Sequence, residues 1–95
     1  MRFIVDNNAS PVGTSLAGYV MTTFDRLRGA FGPPDTGSDK TTAEWRLRFE
    51  NGMVVTIYDY KEDSTPLYMY DWHIGSPKAF QDEAVKAVHA ALGLE

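Results

Sequence analysis

The side chains best suited to chemistry in this chain are Asp71 and His73, which stand two residues apart in the segment Asp71-Trp72-His73. On a β-strand this spacing puts both on one face, where a carboxylate could orient an imidazole as a general base or share a metal ion with it. The same spacing arises easily in any half-exposed strand, and the other histidine, His89, offers no second ligand at metal-binding spacing. A structural role for the pair is therefore favoured over a catalytic one.

Other catalytic signatures are missing from the sequence. There is no cysteine, which excludes disulfides, thiolate metal sites and a cysteine nucleophile. No Gly-x-Ser-x-Gly elbow is present, and the glycine-bounded stretch from Gly13 to Gly18 lacks the lysine of a phosphate-binding loop. The sequence therefore predicts a protein that is not an enzyme, with no catalytic residue, metal site or cofactor.

Aromatic residues and arginines are the strongest indication of binding. Tyrosine and tryptophan supply area at interfaces and in pockets at little entropic cost, and an aromatic strand with Arg46 and Arg48 nearby could stack nucleobases. A formal net charge of −4 argues against simple binding to a nucleic-acid backbone. Six large rings occur on the predicted strands: Trp45, Tyr58, Tyr60, Tyr68, Tyr70 and Trp72.

Length and composition predict a single domain over residues 1–95, with 43% hydrophobic residues to build one core. No segment approaches the roughly 20 apolar residues that a membrane span needs. The amino-terminal segment is too short, and too soon acidic, for a signal peptide. We therefore expect a cytoplasmic protein without a membrane partner.

The pattern of elements predicts an α+β fold: an antiparallel β-sheet of three to five strands with two helices packed on one face. Apolar alternation predicts strands, and apolar residues at helical spacing beside N-capping residues predict helices. Thr22 or Thr23 is the expected cap of the first helix, and Ser76 that of the second, with Pro77 at its first position. The predicted strands are 2–5, 16–21 and 67–74, the predicted helices 23–31 and 77–92, and a central hairpin spans 43–60.

Within that hairpin, Asn51-Gly52 is the preferred pair for a two-residue type I′ turn. Counting outward from this turn pairs Phe49 with Val54, Leu47 with Thr56 and Trp45 with Tyr58. Tyr58 then joins the core face.

The same register leaves two apolar side chains, Val55 and Ile57, on the opposite face between Arg48 and Arg46. Arginine stems lying over them and a covering second surface are both open explanations. The predicted binding residues are accordingly Arg46, Arg48, Val55, Ile57, Tyr60, Asp71 and His73.

Five segments together resemble a family of small, mostly uncharacterised bacteriophage and prophage proteins. The matching segments are Gly-Thr-Ser-Leu-x-Gly-Tyr-Val (13–20), Phe-Gly-x-Pro (31–34), Glu-Trp-x-Leu-x-Phe-x-Asn-Gly (44–52), Thr-Ile-Tyr-x-Tyr-Lys (56–61) and Asp-Trp-His-Ile-Gly (71–75). The resemblance implies a viral accessory protein in the host cytoplasm, one that binds a host protein or complex stoichiometrically and inhibits a host defence system, as anti-CRISPR proteins do. The alternative is a nucleotide or second-messenger binding module, a sponge, and either form could be a homodimer.

Overall fold

The computed structural model describes residues 2–37 and 40–94, which form a five-stranded antiparallel sheet with two helices on one face. The predicted α+β class is confirmed. The strands lie in the order β1-β3-β4-β5-β2, so β1 and β2 are the edges of the sheet. The elements along the chain are β1 (Phe3–Val5), β2 (Thr14–Thr22), α1 (Phe24–Phe31), β3 (Glu44–Phe49), β4 (Val54–Tyr58), β5 (Tyr70–Pro77), a 3₁₀ turn (Lys78–Phe80) and α2 (Gln81–Ala91).

Two fully buried tryptophans, Trp45 and Trp72, occupy the centre of the core between the sheet and the helices. Their rings meet edge to face with centroids 5.6 Å apart. Each indole N–H still finds a backbone carbonyl, that of Gly32 at 2.8 Å for Trp45 and that of Thr22 at 3.2 Å for Trp72. Satisfying these donors removes the main cost of burying a tryptophan completely.

Helix α1 begins and ends as its sequence predicts. The Thr23 side chain accepts a hydrogen bond from the Arg26 backbone N–H at 3.2 Å, and Gly32 ends the helix with a φ of 81°. The Arg26 guanidinium also donates to the Leu92 carbonyl at 2.8 Å, which ties α1 to the end of α2. Local capping and a long-range contact therefore fix the same helix.

The predicted hairpin register is wrong by one residue. The Gly52 N–H donates to the Phe49 carbonyl and the Phe49 N–H to the Met53 carbonyl, both at 2.9 Å, so the loop has three residues, 50–52. Of these only Gly52 has a positive φ, 87°, whereas a type I′ turn needs two such residues.

Strand β3 therefore pairs Trp45 with Ile57 and Leu47 with Val55. Because side chains alternate between faces, this one-residue slip exchanges the faces of the whole of β4. Val55 and Ile57 are fully buried in the core, and Tyr58 lies on the opposite face beside Glu44.

Both ends of β5 differ from the prediction. The strand starts at Tyr70 rather than at Leu67, and it continues past Gly75 to Pro77. Ser76 is a buried strand residue and not a helix cap, and α2 begins at Gln81 after the 3₁₀ turn. Pro77 has a φ of −57° and a ψ of 144°. The proline ring fixes φ at a value that suits a strand end as well as the start of a helix, but the ψ is extended, so Pro77 ends the strand.

Candidate functional site

The open face of the sheet, opposite the helices, carries polar and aromatic side chains in two rows. One row crosses four strands through Glu44, Tyr58, His73 and Tyr19, which are register partners in turn. The next row joins Arg46, Thr56 and Gly75. In the observed register Glu44 and Arg46 share a face of the sheet with Tyr58 and Thr56. The predicted register had placed the two pairs on opposite faces.

A pocket of about 340 Å³ lies over the second of these rows. Arg46, Thr56 and Gly75 line it together with the rings of Tyr58 and Tyr60. The rest of the lining comes from Glu44 on β3, from Pro11 with Thr14 and Ser15 at the start of β2, and from Lys40 and Thr41 on the loop before β3. Its volume falls in the range of small-molecule sites, about 300–1,000 Å³.

Arg46 is held rigidly within this pocket. Its Nε donates to Glu44 Oε2 at 2.6 Å, and its Nη1 donates to the Ala9 carbonyl at 2.9 Å. The Arg46 side chain keeps a quarter of its area exposed, while that of Glu44 keeps 13%. The guanidinium is therefore positioned before any ligand arrives, and a pre-positioned group loses less entropy on binding.

Asp59 fixes the loop that brings Lys40 and Thr41 to the pocket. This fully buried carboxylate accepts hydrogen bonds from the backbone N–H groups of Thr42 at 2.7 Å and Ala43 at 3.1 Å. Its other oxygen accepts from the Thr42 hydroxyl at 2.6 Å. The predicted register placed Asp59 on the surface opposite Glu44. The hydrogen-bond partners of Asp59, Ala43 and Thr42, lie 16 and 17 residues away along the chain, so no local sequence pattern indicates them.

His73 lies within a cluster of tyrosine rings. Its ring centroid is 4.9 Å from that of Tyr19, 5.4 Å from that of Tyr58, on which it stacks, and 5.5 Å from that of Tyr60. Burial lowers the pKa of His73, although the charges of Asp71, Asp59 and Glu62 act to raise it.

His73 and Tyr58 differ in the hydrogen bonds that they can form in this cluster. The Nδ1 atom of His73 is buried with no hydrogen-bond partner among the described residues. The contacts of this imidazole are with the tyrosine rings, for which it is an aromatic support. Burial, with smaller effects from Glu44, Tyr19 and Tyr60, raises the pKa of Tyr58. The Tyr58 hydroxyl therefore keeps its proton at neutral pH and can donate a hydrogen bond.

The structure separates the seven predicted binding residues. Arg46 and Tyr60 line the pocket, and His73 supports it through Tyr58. Arg48 lies outside the pocket, where its Nε is 3.3 Å from a carboxylate oxygen of Asp6, and it lines a separate groove of about 260 Å³.

The other three predicted residues are also away from the pocket. Asp71 is exposed in register with Met21 and makes no hydrogen bond to His73 in the part of the chain described. Val55 and Ile57 are buried and cannot touch a ligand. Sequence reasoning missed Tyr58, Glu44, Lys40 and Ser15, of which Tyr58 and Glu44 would have followed from a correct turn length.

No group of three His, Asp or Glu side chains within residues 2–37 and 40–94 could hold a metal ion. In the same residues no helix has both the length and the apolar character to cross a membrane. Comparison with protein-family models, curated proteins and solved structures finds no match to this chain. The resemblance to bacteriophage proteins therefore stays a prediction.

Proposed function

We propose that the protein is a non-catalytic binding module whose open-face pocket takes a nucleotide-class ligand, meaning a planar ring that carries an anionic group. The observation that carries this proposal is the fixed Arg46 guanidinium beside the rings of Tyr58 and Tyr60 in one pocket. Aromatic rings and a cation are the two groups that recognise a base and its phosphate.

The aromatic side of the pocket suits a planar ligand. Tyr58 is backed by the stacked imidazole of His73, so its ring is braced in place. Tyr60 keeps 37% of its area exposed and is also within ring contact of His73. Stacking a base on such a ring contributes about 1–3 kcal/mol, whichever base it is.

The cationic side suits a phosphate or other anion. Arg46 supplies a guanidinium with part of its surface still free, and Lys40 supplies an exposed ammonium from the facing loop. Because Glu44 already balances one positive charge, Lys40 is needed to give the site a net attraction for an anion.

Binding without turnover is the activity that this arrangement supports. The pocket lining contains no histidine, and His73 lies behind Tyr58 rather than among the lining residues. A protein of this kind acts by sequestering its ligand, which is how a sponge for a nucleotide signal would counter a host defence system. Direct inhibition of a host protein complex rests on the family resemblance alone.

The test is a thermal-shift and calorimetry screen with nucleoside monophosphates, diphosphates and cyclic nucleotides. A ligand at about 100 times its Kd should stabilise the protein by about 2.7 kcal/mol. Chromatography of the mixture after prolonged incubation should recover the nucleotide unchanged. No stabilisation by any nucleotide at saturating concentration, or conversion of the nucleotide to a product, would contradict the proposal.

Matched variants locate the site. Arg46→Gln should weaken binding by about 10-fold or more, because charge-assisted hydrogen bonds contribute about 1.5–3 kcal/mol. Arg48→Gln, on the same strand and face but outside the pocket, should leave affinity unchanged. Tyr60→Ala should weaken binding, whereas Tyr68→Ala, which removes an exposed ring elsewhere, should not. Equal effects within either pair would place the ligand somewhere else.

A further inference from the structure

Strand β2 forms one edge of the sheet and has no charged residue along its nine positions. Edges normally carry charges, prolines or very short strands that prevent pairing with another chain. The opposite edge, β1, follows that rule, because it has three residues and is flanked by Arg2 and Asp6. Strand β2 must therefore be protected in another way or be used for pairing.

Helix α2 protects only the first part of β2. Gln81 Nε2 donates to the Leu16 carbonyl at 3.2 Å, and His89 Nε2 lies 3.1 Å from the Tyr19 carbonyl. Beyond Tyr19 no side chain of α2 bonds to the strand among the described residues. The end of β2 that contains Met21 is therefore the unprotected part of this edge.

Apolar side chains are concentrated at the same end. Met21 is 51% exposed, and the segment Leu67–Met69, which leads directly into β5, has exposures of 70%, 68% and 57%. The pairing of Thr22 with Tyr70 brings the end of β2 beside the start of β5, and so beside that segment. We call Met21 with Leu67–Met69 the Met21 patch. Exposed apolar side chains gathered at one end of an unprotected edge strand indicate an interaction site.

We propose that the Met21 patch binds the same patch on a second copy of the chain, through antiparallel pairing of the two β2 ends about a twofold axis. A twofold interface uses one self-complementary patch twice, and an uncharged apolar patch meets that requirement. The two sheets then form one continuous sheet of ten strands. This inference is independent of the proposed ligand site.

The charges beside the patch are compatible with a second copy. Asp71 lies on β5, one strand inside the edge, so the two Asp71 side chains are separated by three strand spacings, about 14 Å. That distance exceeds the Debye length of about 8 Å at physiological ionic strength. Repulsion between the copies is therefore screened, whereas a basic partner protein would depend on Asp71 and lose affinity in salt.

Sedimentation equilibrium over a wide range of protein concentration tests the inference. The wild type should show a monomer–dimer equilibrium that hardly changes between low and high salt. Met21→Lys should raise the dimer Kd by at least tenfold, because it buries a charge in the interface. Ile4→Lys is the matched control, since Ile4 is 53% exposed on the other edge strand, and it should leave Kd unchanged.

A second variant, Met69→Lys, changes a residue outside the regular elements and should also weaken the dimer. Circular dichroism confirms that each variant is folded. A monomeric wild type at every concentration, an unchanged Kd in Met21→Lys and Met69→Lys, or an equal effect of Ile4→Lys would overturn the proposal. Dissociation of the dimer by salt would also overturn it, because it would indicate an ionic interface.

Discussion

The buried carboxylate of Asp59 provides the sharpest test of how this fold builds its pocket. It holds the backbone N–H groups of Thr42 and Ala43 and the Thr42 hydroxyl, so it fixes the loop that carries Lys40. Asp59→Ala removes all three acceptor contacts and leaves one buried donor without a partner. Asp59→Asn is the matched change, because it keeps the shape of the side chain and one acceptor oxygen.

The magnitudes follow from the individual contacts. A hydrogen bond to a charged group contributes about 1.5–3 kcal/mol, and water can replace part of it where the donor is only partly buried. We therefore expect Asp59→Ala to lower the free energy of unfolding by about 3–5 kcal/mol. In Asp59→Asn the amide oxygen still accepts from both N–H groups, and the amide N–H₂ donates to the Thr42 hydroxyl. That hydroxyl can then donate to Thr65, whose oxygen is 2.6 Å away, so the expected loss is only about 1–2 kcal/mol.

Urea denaturation followed by circular dichroism measures both losses. The midpoints should fall in the order wild type, Asp59→Asn, Asp59→Ala with equal slopes, since the surface exposed on unfolding does not change. Asp63→Ala, which removes an exposed carboxylate from the same stretch of chain, should stay within about 0.5 kcal/mol of wild type. The reasoning fails if Asp59→Ala costs less than about 1 kcal/mol or if Asp59→Asn costs as much as Asp59→Ala.

Three further predictions test the register, the histidine and the pocket. Val55→Ala should cost about 1.5–3 kcal/mol in chemical denaturation and Val54→Ala clearly less, because only Val55 is fully buried; similar losses would refute the register. The pKa of His73, measured by NMR, should lie below 6.5, so the stability advantage of wild type over His73→Gln should be greatest above that pH and shrink as the pH falls through the folded-state pKa. An advantage that grew on acidification would contradict this sign. Gly75→Ala should cost about 1–3 kcal/mol and weaken ligand binding, because its Cβ would collide with the Thr56 hydroxyl under the pocket; unchanged stability and affinity would show that the pocket is not built this way.

Several local features could be predicted from the sequence because their causes lie within a few residues. The alternation of apolar and charged residues in 43–50 is sufficient to indicate a strand with one buried face. Thr23 and Gly32 mark the ends of α1, since a hydroxyl cap and a residue with positive φ act on adjacent turns of the chain. Asp71 and His73 were correctly placed on one face, because only the period of a strand is needed for that.

The register of the central hairpin could not be predicted from the sequence of its turn. A glycine at position 52 adopts positive φ equally well in a two-residue type I′ turn and in a three-residue loop. Both loops are acceptable locally, and they differ by one residue in register. The difference is decided by packing, since only the three-residue loop buries Val55 and Ile57 beside the tryptophans of the core.

The sequence by itself determined the class of the fold, the approximate positions of most strands and helices, and the abundance of rings and arginines that suggested binding. The tertiary structure alone decided which of those residues meet. The pocket joins Arg46 and Tyr58 on neighbouring strands to Ser15 on the edge strand β2 and to Lys40 on a loop, and Asp59 holds that loop through contacts made only after folding. The periodicity of apolar residues indicates which side chains of one segment lie on the same face. The register between strands depends on the free energy of the whole packed core, and the face on which a residue acts depends on that register.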